Sequence, residues 1–206
     1  MPTDANVQRL LSMRARGAAR RSRSLDLVRA CGLHPADPII DVSGARHTIV
    51  VPLLEAGYTD ITVLDPSGFA LADLAERLGN PGKHVTLLEQ LVTGFHPRRR
   101  YALWCDEGFF HALQHPEERQ QYLETLEEAL RPGGHLVIAT FGPEGPEECE
   151  GVPVRCYGPA ALQHELGAHF ELAEHSVAVR HAPSGEAYPY LHARFVRHAP
   201  APLGPY

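Results

Sequence analysis

Short apolar runs that end on a carboxylate alternate with helix-like patterns along most of the chain. Pro38-Ile39-Ile40-Asp41 is one such run, followed by small residues at Ser43-Gly44. Residues 61–65, Ile-Thr-Val-Leu-Asp, form a second, followed by Pro66-Ser67. Uninterrupted apolar runs of this length read as buried strands, and one intervening helix makes the pair parallel in a right-handed βαβ unit. A helix then carries apolar residues at Phe69, Leu71, Leu74 and Leu78 and stops at Gly79-Asn80-Pro81-Gly82. Residues 85–88 and 101–105 are further strands, the latter ending at Asp106. Pro116 opens a helix with acidic residues in its first turn and apolar positions Tyr122, Leu126 and Leu130. Arg131-Pro132-Gly133-Gly134 ends that helix and turns into an apolar strand over 135–141. A short helix over 158–167 precedes two strand patterns, 170–180 and 188–196, which pair most simply as an antiparallel hairpin. Alternating β and α elements followed by a hairpin define one α/β domain on a mainly parallel sheet.

Before this domain, residues 1–24 form a polar segment with Arg14, Arg16, Arg20, Arg21 and Arg23 close together, read as a solvated helical face, with a membrane- or RNA-binding arm as the alternative. Leu10, Leu11 and Met13, then Leu25, Leu27 and Val28, suggest two helices over the sheet edge, the second ended by Gly32. The domain proper runs over 25–198, and 199–206 reads as a frayed tail. At 206 residues, with 44% hydrophobic and 21% charged content, the chain is long enough to bury a full core. No apolar run approaches the ~18 residues of a membrane span, and no apolar leader core is present, so the expected setting is cytoplasmic. A net charge of −6 argues against nucleic acid as a partner, because phosphate neutralisation needs a cationic face. The four cysteines, Cys31, Cys105, Cys149 and Cys156, form no CxxC pair and read as free thiols.

The ordered set of strand–Asp–small turn, strand–Asp, helix–RPGG–strand and closing hairpin resembles the class I S-adenosylmethionine-dependent methyltransferases. Residues 126–149, LEEALRPGGHLVIATFGPEGPEEC, are similar to the helix, turn and fifth strand of those enzymes. Residues 101–126, YALWCDEGFFHALQHPEERQQYLETL, resemble their fourth strand and following helix. The resemblance spans about 25–197. It implies a Rossmann-like, doubly wound α/β fold with a mainly parallel seven-stranded sheet and a C-terminal antiparallel hairpin. It also implies S-adenosylmethionine as cofactor and methyl transfer to a small-molecule nucleophile. In that scheme Asp41, Ser43 and Gly44 belong to the loop that cradles the methionine part. Asp65, followed by Pro66, binds the ribose hydroxyls, Gln90 lies near the adenine amino group, and Asp106 faces the transferring methyl group.

This chain departs from the family pattern in the first loop. Ser43 and Ala45 stand where glycines are usual, and Arg46 and His47 are bulky. Pro52 lies in the first helix, which is therefore expected to start late, near Val51. A catalytically inactive binding or interaction module on the same fold is the alternative that these departures leave open. A nucleotide-binding oxidoreductase is disfavoured by the lack of a complete Gly-x-Gly-x-x-Gly turn.

Methyl transfer from a sulfonium needs alignment and, for some acceptors, a base. Asp106 and His111 are the candidate bases, with helix packing as the alternative for His111. Cys105, Asp106, His111 and His115 invite a metal reading, but Pro116 breaks the helix that would put the two imidazoles on one face, so no metal site is expected. Glu107 reads as a solvated loop carboxylate and Trp104 as core. The Gly-, Pro- and Glu-rich loop 142–157 reads as a lid, with Cys149, Arg155 and Tyr157 as substrate contacts. Phe109, Phe110, Val152 and Tyr157 would roof the acceptor site, with core packing as the alternative for Phe109 or Phe110.

Overall fold

A computed structural model describes residues 23–45, 48–79, 84–149, 151–181 and 186–198. The expected first helix, the arginines at 14–21, Arg46, His47, the Asn80-Pro81-Gly82 stop, the tip of the terminal hairpin and the tail lie outside the described residues.

The first described helix is α1 (Arg23–Arg29), which presents Ser24, Leu27 and Val28 inward. Next come β1 (Ile39–Asp41), α2 (Val50–Glu55), β2 (Ile61–Asp65), α3 (Gly68–Leu78) and β3 (Val85–Glu89). Then β4 (Tyr101–Asp106) leads through a 3-10 turn at Phe110–Ala112 into α4 (Pro116–Ala129). The chain closes with β5 (Leu130–Phe141), a small hairpin β6 (Glu148–Cys149) and β7 (Val152–Pro153), α5 (Pro159–Leu166), β8 (Phe170–His181) and β9 (Ala187–Arg197).

Seven strands form one sheet in the order β3-β2-β1-β4-β5-β9-β8. The first five are mutually parallel; β9 runs antiparallel to β5, and β8 antiparallel to β9. This is the doubly wound arrangement with a closing antiparallel hairpin that the family resemblance implies, on the mainly parallel sheet that the residue pattern predicts. β1, β2 and β4 are buried at every position, as central strands covered on both faces must be. One face packs Leu27, Val28, Ile49, Leu53, Leu71 and Leu74 over Ile39, Ile61 and Leu103. The other packs Trp104, Phe110, Tyr122, Leu126, Leu162 and Phe195.

Helix α2 starts at Val50, so Pro52 sits in its first turn, where the missing N–H costs no intrahelical bond. The late start is as expected, and Thr48 Oγ1 covers the helix end by accepting from the Val50 N–H at 3.0 Å. Two expectations differ in detail. Phe69 is 77% exposed, and it is Ala70, Leu71, Leu74 and Leu78 that face the core. The helical spacing held, but Phe69 lies in the first turn, beyond the reach of the sheet. The second difference is at Arg131–Gly134. Tyr101 pairs with Leu130 and Leu103 with His135, so these four residues form an outward irregularity within β5 rather than a turn before it.

Candidate functional site

The carboxyl ends of β1, β2, β3 and β4 meet where the strand order reverses, between β1 and β4, the crevice in which open α/β sheets take ligands. Asp41 closes β1, and its carboxylate is completely buried. Oδ1 accepts from the Ser43 N–H at 3.0 Å; Oδ2 accepts from Thr48 Oγ1 at 2.6 Å and from the Ile49 N–H at 2.9 Å. Asp41 therefore ties both ends of the loop to β1. Burial pushes its pKa up, against the hydrogen bonds from Ser43, Thr48 and Ile49. Gly44 has φ 83°, a left-handed conformation that explains why the one glycine retained in the loop sits there. Ser43 Oγ accepts from the Glu107 N–H at 2.9 Å and so joins the β1 loop to the end of β4.

Asp65 closes β2 and is 3% exposed. Its Oδ2 accepts from the Ala45 N–H at 2.7 Å and its Oδ1 from the Ser67 N–H at 2.7 Å. The Ala45 carbonyl in turn accepts from Arg77 Nη2 at 3.2 Å. The loop thus lies directly against the carboxylate expected to take ribose. Half-buried Pro66 follows, and Ser67 Oγ caps α3 by accepting from the Ala70 N–H. Gln90 is exposed beyond β3, and its N–H is shared between the Asp65 and Leu88 carbonyls. Glu89, which sequence reasoning passed over, pairs with Asp65 in register, and a Cβ added at Gly68 would lie 2.6 Å from its Oε2. Exposed Phe69 follows Gly68 in the first turn of α3.

Asp106 is 1% exposed and faces its own turn. It accepts from the N–H groups of Gly108, Phe109 and Phe110 at 2.9, 2.6 and 3.0 Å, and from the Tyr122 hydroxyl at 2.9 Å. Trp104 Nε1 donates to the same hydroxyl at 3.0 Å. Burial raises the Asp106 pKa to about 6, against these bonds. A carboxylate with four donors fastens the 3-10 turn and α4 to β4, and it does not open onto the crevice as a base would. His111 is fully buried in that turn, its ring 4.7 Å from Phe141 and 6.1 Å from Tyr190. Its carbonyl accepts from the Arg155 N–H at 2.8 Å, fixing the 142–157 segment, which also pairs Phe141 with Cys156. Phe109 and Phe110 are core residues, as their packing alternative has it, and Val152 and Tyr157, expected to roof the acceptor site, are buried in the same core. Arg155 Nε donates to the Tyr157 hydroxyl at 3.2 Å, and Cys149 is half-buried in β6.

Glu107 is not a solvated carboxylate. It is 6% exposed and accepts from Arg180 Nη2 of β8 at 2.6 Å. Burial pushes its pKa up, but the charges of Arg180 and His192 and the Ser24 hydroxyl outweigh this and leave it lowered. The Arg180 guanidinium lies over the Tyr190 ring, 4.5 Å from its centroid. His192 Nδ1 is 3.1 Å from Ser24 Oγ, and burial lowers the imidazole pKa to about 4. Glu107, Arg180, Tyr190, His192 and Ser24 therefore form one polar and aromatic wall beside the β4 end. No local sequence signal marks this wall, since Glu107 and Arg180 lie 73 residues apart. Among the described residues no group of three or more His, Cys, Asp and Glu side chains is placed to hold a metal ion, and no helix is long and apolar enough to cross a membrane.

With this geometry in view, the fold is that of the class I S-adenosylmethionine-dependent methyltransferases. The chain is similar in structure to the 1,6-didemethyltoxoflavin-N1-methyltransferase of Burkholderia thailandensis, determined with 1,6-didemethyltoxoflavin and S-adenosylhomocysteine bound. The TM-score is 0.69 and the identity 23%, over 96% of this chain and 80% of that one. It is also similar to the N-methyltransferase NodS of Bradyrhizobium japonicum, with a TM-score of 0.68 and 17% identity over 87% and 96% of the two chains. The glycopeptide N-methyltransferase MtfA with bound S-adenosylhomocysteine gives a TM-score of 0.67 at 15% identity, over 87% and 90%. No protein-family model and no curated protein matches the chain.

Proposed function

We propose that this chain is an S-adenosylmethionine-dependent methyltransferase acting on a small-molecule nucleophile in the cytoplasm. The observation that carries the reading is the placement of Asp41 and Asp65 at the carboxyl ends of β1 and β2, beside the β1/β4 switch point. Similar folds with S-adenosylhomocysteine bound support it.

The residues on the β2–β3 side suit the cofactor chemically. Each Asp65 oxygen keeps a lone pair for a ribose hydroxyl, with Pro66 setting the chain direction after it. The Gln90 side-chain carbonyl can accept from an adenine amino group, and Phe69, exposed in the first turn of α3, is the aromatic ring proposed to face the adenine. Ser43 and Gly44 bring backbone close to the methionine part. Because Asp65 is 3% exposed, binding requires the Ala45 segment to lift from it. When bound, the sulfonium supplies an electrophilic methyl group and a neutral thioether leaving group. The chain's own task is alignment: Asp106 holds the β4 turn rigid, and the turn places His111 and the Glu107–Arg180 wall on the acceptor side. His111 is the proposed base of this turn, and because it is fully buried, taking a proton from the acceptor requires the turn to open around it. A small molecule suits a wall built from buried rings, and the net charge of −6 argues against nucleic acid as the acceptor.

One observation favours the inactive-module alternative: both Asp65 oxygens already accept backbone N–H groups. Calorimetric titration with S-adenosylhomocysteine separates the two. The enzyme reading expects micromolar binding, and no measurable heat at a suitable protein concentration would remove it in favour of the alternative.

A further inference from the structure

Strand β8 is an edge of the seven-stranded sheet, paired with β9 on one side. Its 12 residues contain neither proline nor lysine, two residues that commonly blunt sheet edges. The irregularity in its pairing with β9 falls between Leu172 and Glu174, leaving 174–180 in regular register. On one face His175, Val177 and Val179 stand opposite Ala193, Leu191 and Pro189. Ala193 and Leu191 are fully buried, whereas Val177 is 56% and Val179 61% exposed. Among the described residues helix α5 bonds the start of the strand, where Gln163 donates to the Phe170 carbonyl and accepts from the Leu172 N–H. The apolar surface of the core therefore continues outward past its helical cover.

We propose that β8 pairs antiparallel with β8 of a second copy about a two-fold axis at Val177, joining the two sheets into one. The register follows from the residues. With Val177 opposite Val177 of the partner subunit, Ser176 faces Ala178 of the partner subunit and His175 faces Val179 of the partner subunit. Glu174 faces Arg180 of the partner subunit, and symmetry makes that opposite-charge pair twice. Sliding the strands by two residues either way, the smallest slip that keeps side chains on their faces, loses both charge pairs. Glu174 is 51% exposed and 3.7 Å from Arg194, so its carboxylate can also reach across the axis. The pairing satisfies the outer N–H and C=O row of β8 and covers both exposed valines. It also brings Glu174 of the partner subunit beside Arg180, which pairs with Glu107 at the end of β4. The acceptor-side wall of each subunit is thereby buttressed by the other copy.

Sedimentation equilibrium of the full chain tests this, with the Val177→Lys variant as comparison. The native chain is expected to be a dimer at micromolar concentration. Val177→Lys places two ammonium groups at the axis and is expected to weaken dimerisation at least tenfold. Glu174→Lys, which faces Arg180 of the partner subunit, is expected to weaken it less. Both positions are solvent-exposed, and an unchanged far-ultraviolet circular dichroism spectrum verifies that each variant folds. A native chain that stays monomeric, or a dimer indifferent to Val177→Lys, overturns the proposal.

Discussion

The Ala45 backbone N–H donates to Asp65 Oδ2 at 2.7 Å, joining the loop after β1 to the end of β2. The contact makes one carboxylate serve two purposes. It holds the loop in the form described here, and under the proposed function it also takes the ribose hydroxyls. Opening of the loop and binding of the cofactor are therefore linked through Asp65.

Replacing Asp65 by Ala is expected to act on both. The Ala45 and Ser67 N–H groups lose their acceptors, which costs about 1–3 kcal/mol in chemical denaturation. Affinity for S-adenosylhomocysteine is expected to fall more than tenfold by calorimetry. A stable variant with unchanged affinity would show that the ribose lies elsewhere.

Phe69 allows binding to be separated from folding. At 77% exposure its truncation to Ala is expected to shift stability by no more than about 0.5 kcal/mol. If its ring faces the adenine, the same variant binds S-adenosylhomocysteine several-fold more weakly. Equal affinity in the two proteins would remove Phe69 from the site.

Tyr122 serves Asp106 and Trp104 together, donating to one and accepting from the other. The Tyr122→Phe variant keeps the ring in place and strips both bonds at a fully buried position. The expected cost is about 1–3 kcal/mol, read from the urea midpoint at unchanged m-value. A neutral result would mean that the Asp106 turn is held by its backbone donors alone.

The succession of strands and helices along the chain was legible because the buried strands are short, mostly apolar runs, and the late start of α2 was legible from Pro52. The side-chain roles were less so. Asp106 reads as a site carboxylate from its position at a strand end, but the following Gly108-Phe109-Phe110 turn folds back and saturates it. Glu107 reads as solvated because its partner Arg180 is on β8, and only the three-dimensional closure of the hairpin brings them together. His111 looks equally suited to catalysis and packing, and burial against Phe141 sets its environment without a local sequence signal. Local pattern thus reports the backbone path, whereas turn geometry at Asp106 and long-range pairing at Glu107 decide what each carboxylate contacts.

Two buried groups near the β4 end make opposite contributions to stability between about pH 4 and 6. His192 has its pKa lowered from 6.5 to about 4, mainly by burial, so the unfolded chain takes up the proton first as the pH falls. Its contribution is present above 6.5 and is lost on the way down to 4. Asp106 has its pKa raised from 3.8 to about 6, again by burial, so the folded chain holds the proton more tightly. Its contribution is present below 3.8 and is lost as the pH rises through 6. Asp41, also raised by burial, acts in the same sense as Asp106, whereas Glu107, lowered on balance by Arg180, acts in the sense of His192. Each of the two larger shifts corresponds to roughly 3 kcal/mol across its window, so in the native chain they largely offset one another. Removing one group should expose the other. Urea midpoints of His192→Gln measured from pH 4 to 6.5 are expected to rise less steeply with pH than those of the native chain, or to fall. Those of Asp106→Asn are expected to rise more steeply. Parallel profiles for all three proteins would mean that neither group titrates with the pKa its burial implies.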